Sequence, residues 1–166
     1  MFTMQNLQII GTGGTIDKVY YDAHDDYSIG EPMVETILKL YKLSFDYKIE
    51  SILKKDSLEL NDDDRQMIYN KILNSQSEHI LITHGTDTMV QTAQILSTIK
   101  NKTIVLTGSF LPAKFIESDA IFNIGLAIGA IQSLKNGVYV AISGKVFPYD
   151  MVQKNRKLGK FVSIAL

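Results

Sequence analysis

Short apolar runs recur along the chain at residues 7–10, 79–83, 103–107 and 138–143, residues 47–53 alternate enough to be a further strand, and stretches with helical spacing of apolar residues separate them. Near-continuous β-branched runs of this length suit strands buried on both faces. Strands that alternate with helices imply a parallel sheet with crossover connections. The chain is therefore expected to be α/β, with a doubly wound, mainly parallel sheet of flavodoxin or Rossmann type and helices on both faces. A length of 166 residues with 45% hydrophobic content suits one globular domain with a sizeable core, and no repeat, linker or low-complexity segment divides residues 1–166.

The intervening segments read as follows. Residues 17–30 hold three tyrosines (Tyr20, Tyr21, Tyr27) without a clear period, and read as a loop long enough to serve in binding or as a lid. Pro32 suits the first turn of a helix over roughly 32–43, with Ile37, Leu38 and Tyr41 on one face. Asn61 is placed as an N-cap, with Asp62, Asp63 and Asp64 favourably set against the helix dipole. Met67, Ile68, Ile72 and Leu73 are expected to form that helix's buried face. A third helix is expected over about 89–100, burying Met89, Ala93, Leu96 and Ile99. A fourth, opened by Ser118 or Asp119 and running to about 135, is apolar nearly all round and should be covered on more than one side. Asn136-Gly137 is expected to end it in a left-handed cap. Residues 147–166 combine a basic stretch with an apolar tip at 161–166.

Chemistry concentrates where the runs end. The first run breaks at Gly11 and closes with Gly13-Gly14, leaving Thr15 at its carboxyl end, where ligands bind in open α/β sheets. The dinucleotide fingerprint fails because Ile16 stands where a third glycine is needed, and no Gly-Lys-Ser/Thr follows to make a phosphate loop. Ser143-Gly144-Lys145 runs into Val146 without a helix-opening pattern and is no phosphate loop either. Ser57 and Thr86-Asp87 lie after the second and third strands, so three polar clusters distant in sequence share one edge. A threonine hydroxyl needs a base, and a tyrosine, a lysine or a hydroxyl relayed through a Lys–Asp pair are the open choices. Asp87 suits a cationic group and Ser57 a carboxylate, which fits a small zwitterion such as an amino acid. The plainer alternative is that these residues are helix N-caps, and His84 reads as a buried residue making backbone hydrogen bonds.

Whole-chain properties narrow the classes. A net charge of −1 argues against nucleic acid and membrane surfaces as partners. The cluster Lys154, Arg156, Lys157 and Lys160 reads as a solvated face. With no cysteine and three histidines (His24, His79, His84) lacking ligand spacing, neither a metal nor another cofactor is expected. The N-terminus lacks a signal-peptide layout and no run spans a membrane, so a cytoplasmic protein is expected.

Thr12-Gly13-Gly14-Thr15-Ile16 together with Ile82-Thr83-His84-Gly85-Thr86-Asp87-Thr88 resembles the paired signatures of the bacterial-type L-asparaginase/glutaminase family. Residues 56–62, Thr107-Gly108-Ser109 with Pro112, and Met151-Val152-Gln153-Lys154-Asn155 resemble further family segments, with Leu111 where an arginine is often found. The resemblance implies hydrolysis of L-asparagine, and more weakly of L-glutamine, through an acyl-enzyme. It implies Thr15 as nucleophile and Tyr27 as its hydrogen-bonding partner on a lid. It implies Thr86, Asp87 and Lys154 as a second polar triad, and Gly14, Ser57, Thr86 and Asp87 as substrate contacts. Family chains continue into a smaller second domain that packs on a neighbouring subunit. A short form resembling only the N-terminal domain, working as a homo-oligomer, is thus expected here. The alternatives are a non-catalytic amino-acid binding or regulatory domain and, less well matched, a nucleotide-binding module.

Overall fold

A computed structural model describes residue 4 and residues 6–21 and 26–164. His24 and the last two residues of the apolar tip, Ala165 and Leu166, lie outside the described residues. In chain order the elements are β1 (Asn6–Gly13), β2 (Lys18–Tyr21), β3 (Asp26–Ile29), α1 (Met33–Leu38), β4 (Asp46–Lys55), α2 (Asp62–Leu73), β5 (His79–Thr83) and α3 (Met89–Leu96). They continue with β6 (Thr103–Thr107), α4 (Ala120–Ser133), β7 (Gly137–Ile142), β8 (Lys145–Pro148), β9 (Val152–Asn155) and β10 (Lys160–Ser163). The main sheet has the order β4-β1-β5-β6-β7-β8, parallel except for β8. The doubly wound α/β expectation therefore holds. The order reverses at β1, which lies between β4 and β5, and such a switch point opens a crevice at the strands' carboxyl ends.

Strand alternation sorts the core into two layers, because successive side chains point to opposite faces. Ile9, Leu81 and Val105 are in register across β1, β5 and β6, and pack with Val34 and Ile37 of α1 and Ile124, Ala127 and Ile131 of α4. Their neighbours Ile10, Ile82 and Leu106 point the other way, onto Ile68 and Ile72 of α2 and Met89, Ala93 and Leu96 of α3. Helices thus cover both faces.

Several local expectations are corrected. The segment read as a loop over 17–30 contains an antiparallel hairpin, β2–β3, in which Tyr20 is in register with Tyr27. Exposed side chains along it left no buried period in the sequence. The first and third helices stop at Leu38 and Leu96, short of 43 and 100. In α2, Ile68 and Ile72 are buried, whereas Met67 and Leu73 are about half exposed, on a different part of the helix surface. Tyr41 is likewise exposed. The chain leaves α4 through an extended Leu134, not a left-handed glycine. Gly137 instead opens β7, where its N–H donates to the Lys102 carbonyl at 2.9 Å. Among the described residues nothing covers the outer side of α4, where Ile121 and Phe122 are exposed. Ser143 and Gly144, both with positive φ, form the two-residue turn that folds β8 back along β7. The basic stretch and the described part of the apolar tip become the β9–β10 hairpin.

The second helix begins as its residues dictate. The Asn61 side chain accepts from the Asp64 N–H at 2.9 Å, and the Asp64 carboxylate accepts from the Asn61 N–H at 3.1 Å, a reciprocal capping box. Lys55, at the end of β4, also donates to Asp64 at 2.9 Å, which ties the helix to the strand before it. Replacing the cap, Asn61→Ala, is expected to cost about 1 kcal/mol and lower the melting temperature by about 2–4 °C, read by thermal and urea denaturation.

Candidate functional site

The carboxyl ends of β1, β4 and β5 meet backbone to backbone. Gly14 has φ +90°, and a Cβ there would lie 2.4 Å from the Gly85 backbone. A Cβ on Gly85 would lie 2.6 Å from both Cβ and Oγ of Ser57. Only glycine at both positions lets the three turns close on one another. Polar bonds lock the contact. The Gly14 N–H donates to the Lys55 carbonyl at 2.9 Å, and the Thr12 hydroxyl to the Thr83 carbonyl at 2.8 Å. The Thr88 hydroxyl donates to the Ser57 carbonyl at 2.7 Å, and the Thr88 N–H to Ser57 Oγ at 3.3 Å.

Around that contact stand the residues singled out from the sequence. Thr15, half-buried, begins a 3-10 turn directly after Gly14. Ser57 is buried and begins another, after Asp56, whose carboxylate caps it by accepting from the Leu58 N–H. Thr86 is buried and follows Gly85. Lys154, 67 and 68 residues away, donates to Thr86 Oγ1 at 2.8 Å and to Asp87 Oδ1 at 2.9 Å. Its ammonium also lies 5.3 Å from the centroid of Phe110, whose ring meets Phe161 edge-on. Tyr27 stands on β3, and its ring packs against Tyr20 and Phe115. Among the described residues no hydrogen bond joins its hydroxyl to Thr15.

Two buried groups hold the turns from behind. His84 is wholly buried. Its Nδ1 lies 2.7 Å from the Gly85 carbonyl, which can only accept, so Nδ1 carries the proton. Burial, aided by the Arg65 charge and opposed by that carbonyl, pulls the imidazole down to about 4, so the ring is neutral at pH 7. Nε2 then accepts from the Thr92 hydroxyl at 2.8 Å, tying the turn to α3. Asp17, 1% exposed, accepts from the Met33 N–H at 2.8 Å through Oδ1. Its backbone carbonyl accepts from the Gly30 N–H at 2.8 Å, so one residue joins the Thr15 turn, the β2–β3 hairpin and α1. Burial pushes the Asp17 carboxyl up to about 7, with Glu31 adding to the rise and the Met33 amide opposing it.

Three participants escape a reading of the sequence. Phe110 beneath Lys154 carries no signal there. Asp17 is visible only as a polar residue directly after the Thr15 turn. Arg156, whose Nη2 lies 3.1 Å from Asp87 Oδ1, is two residues beyond Lys154. It lies just past the end of β9, at the start of the turn to β10. Among the described residues no group of three or more histidines or carboxylates is arranged to hold a metal ion. The arrangement sets hydroxyls, one shared carboxylate and two cations at the edge where β1, β4 and β5 end.

Comparison with known proteins places the chain in a family and agrees with its fold. The family model "Asparaginase, N-terminal" matches residues 6–162. The L-asparaginase of Thermococcus kodakarensis is 34% identical over 162 residues, covering 92% of this chain and 48% of that protein. The solved thermostable L-asparaginase from the same organism superposes with a TM-score of 0.86 at 28% identity, over 96% of this chain and 51% of the other. A component of the glutamyl-tRNA(Gln) amidotransferase of Methanococcus maripaludis is 30% identical over 154 residues, covering 86% of this chain and 36% of that protein. The chain thus spans about half the length, or less, of the curated relatives it matches.

Two outcomes follow from the site's construction. Gly85→Ala drives a methyl group into Ser57 and is expected to cost about 1–3 kcal/mol by denaturation. The buried acid and base give opposite pH trends. Asp17, raised from 3.8 to about 7, contributes stability present below pH 4 and lost as pH rises to 7. His84, lowered from 6.5 to about 4, contributes stability present above pH 6.5 and lost as pH falls to 4. Asp17→Asn leaves the histidine trend unopposed. The variant's melting temperature should fall more steeply than the parent's between pH 6.5 and 4.5. Above pH 7 the variant should be more stable than the parent, by about 4 kcal/mol. Superimposable pH profiles would show that Asp17 is ionised in the fold.

Proposed function

This chain belongs to the asparaginase family, and from that premise we propose that it is an amidohydrolase that converts L-asparagine to L-aspartate and ammonia, with L-glutamine a weaker substrate. The observation that carries the proposal is the contact of Lys154 with both Thr86 and Asp87, one turn away from Thr15 across the Gly14–Gly85 contact. In this reading Thr15 Oγ attacks the side-chain carboxamide carbon as its proton passes to a base. The hydroxyl-and-lysine pair of Thr86 and Lys154 is the candidate for that role. Backbone N–H groups of the glycine turns are suited to stabilise the tetrahedral oxyanion. The C–N bond breaks, ammonia leaves with the proton it needs, and water cleaves the resulting ester to release aspartate and restore Thr15. Ser57 receives the α-carboxylate, Asp87 the α-ammonium, and Gly14 allows the backbone to approach the substrate. Tyr27 assists Thr15 from the hairpin, and this step requires β2–β3 to close over the substrate, because its ring now rests on Tyr20 and Phe115.

Cytoplasmic residence and a homo-oligomer belong to the same proposal. Exposed Ile121 and Phe122 on α4 support the second of these. The competing reading is a domain that binds an amino acid without turning it over.

Ammonia release from purified protein supplied with asparagine decides between them. Thr15→Ala is expected to abolish release with the circular dichroism spectrum unchanged, and Lys154→Met to reduce kcat by about 10²–10⁴-fold. Undiminished turnover in either variant would discard the assigned roles. A thermal shift with aspartate and no ammonia from the parent protein would establish the binding domain instead.

A further inference from the structure

The basic cluster at the end of the chain divides once it is folded. Lys154 is held on three sides, by Thr86, Asp87 and the Phe110 ring, and its side chain is only 17% exposed. Arg156 leaves β9 at the start of the turn to β10, and its side chain is 69% exposed. Even so, its guanidinium reaches back to Asp87. It lies 3.1 Å from Oδ1, the same oxygen that Lys154 meets at 2.9 Å. Two cations therefore share one carboxylate oxygen at the mouth of the site. Any further cation that binds Asp87 must compete with them. Lys154 cannot yield without breaking its bond to Thr86. Arg156, free in solvent along most of its length, can.

We propose that Arg156 is a specificity-determining residue: it caps Asp87 and competes with the α-ammonium of an amino-acid substrate, so the site favours amides that carry a carboxylate but no ammonium more than Asp87 alone would allow. This rests on the reading that Asp87 receives the ammonium group. The substrate class it adds is the desamino ω-amide of a dicarboxylic acid, of which succinamic acid is the direct counterpart of asparagine. Such a molecule keeps the carboxamide and the α-carboxylate and leaves the Arg156–Asp87 pair in place. For the zwitterion, the pair must open before the ammonium can reach the carboxylate. Because the pair is exposed, the effect is modest, about two- to fivefold in apparent affinity, and it weakens with salt.

The test compares the parent protein with Arg156→Gln, which keeps length and polarity but loses the charge, and with Arg156→Lys, which retains it. KM and kcat are measured from ammonia release with L-asparagine and with succinamic acid, at low and at high ionic strength. Arg156→Gln is expected to lower KM for asparagine about two- to fivefold with kcat unchanged. KM for succinamic acid should stay the same or rise, and Arg156→Lys should fall between. High salt should narrow the difference between parent and Arg156→Gln. Equal changes in both KM values, or none, overturn the inference, as does a change confined to kcat. Calorimetric titration with L-aspartate and with succinate reads the same ratio without turnover. A parent protein that releases no ammonia would refute the hydrolase reading, and the ratio of the two dissociation constants would still decide the role of Arg156. Failure of both ligands to bind overturns the inference together with the site.

Discussion

Everything at the working edge of this molecule depends on a contact between main chains. The turn after β1 and the turn after β5 touch at Gly14 and Gly85, and Ser57 closes in from the end of β4 against Gly85. No side chain separates them, so the residues that follow in sequence, Thr15 and Thr86, flank a single backbone contact set by the sheet. The parallel register of β4, β1 and β5 sets the heights of the three turns. The buried layers on either face then prevent that register from slipping, because a shift of one residue would turn Ile9 and Ile10 to the wrong sides.

Charge is distributed to suit that scaffold. Behind the turns the ionisable groups are buried and one of them, His84, is neutral, so it bonds Gly85 and Thr92 without the cost of a desolvated charge. At the mouth, where solvent can still reach, Lys154 and Arg156 share the Asp87 carboxylate. The back of the turns is closed to solvent and the front is open to it. Asp17 stands between the two regimes. It is almost wholly buried, yet it joins the Thr15 turn to the hairpin that carries Tyr27, so its protonation state bears on stability.

How far the chain is legible depends on whether the signal is local. The Asn61–Asp64 cap is readable because a helix start is decided within four residues. The hairpin at 18–29 is not, since its four-residue strands expose both faces and bury no alternating stripe. Asn136-Gly137 looks like a helix stop, but Lys102 in the neighbouring connection claims the Gly137 N–H for the sheet. Ser143-Gly144 does carry its signal, a small polar residue and glycine between two apolar runs. It fails as a phosphate loop because it is the turn before an antiparallel edge strand. The all-round apolar character of α4 suggests cover on every side. In the fold one stripe packs on the sheet, and Ile121 and Phe122 face outward.

The sequence alone determined the parallel sheet and the order in which Thr15, Ser57 and Thr86-Asp87 reach its carboxyl edge, because strand periodicity and crossover direction follow from short-range spacing. It also carried the resemblance that pointed to amide chemistry. Only the tertiary structure decided how closely the turns approach, which buried groups are neutral, and that Arg156 shares Asp87 with Lys154. Those outcomes depend on distances between residues some seventy positions apart, and on burial that no local pattern records. A cation two residues from another looks the same in sequence whether it faces water or a carboxylate.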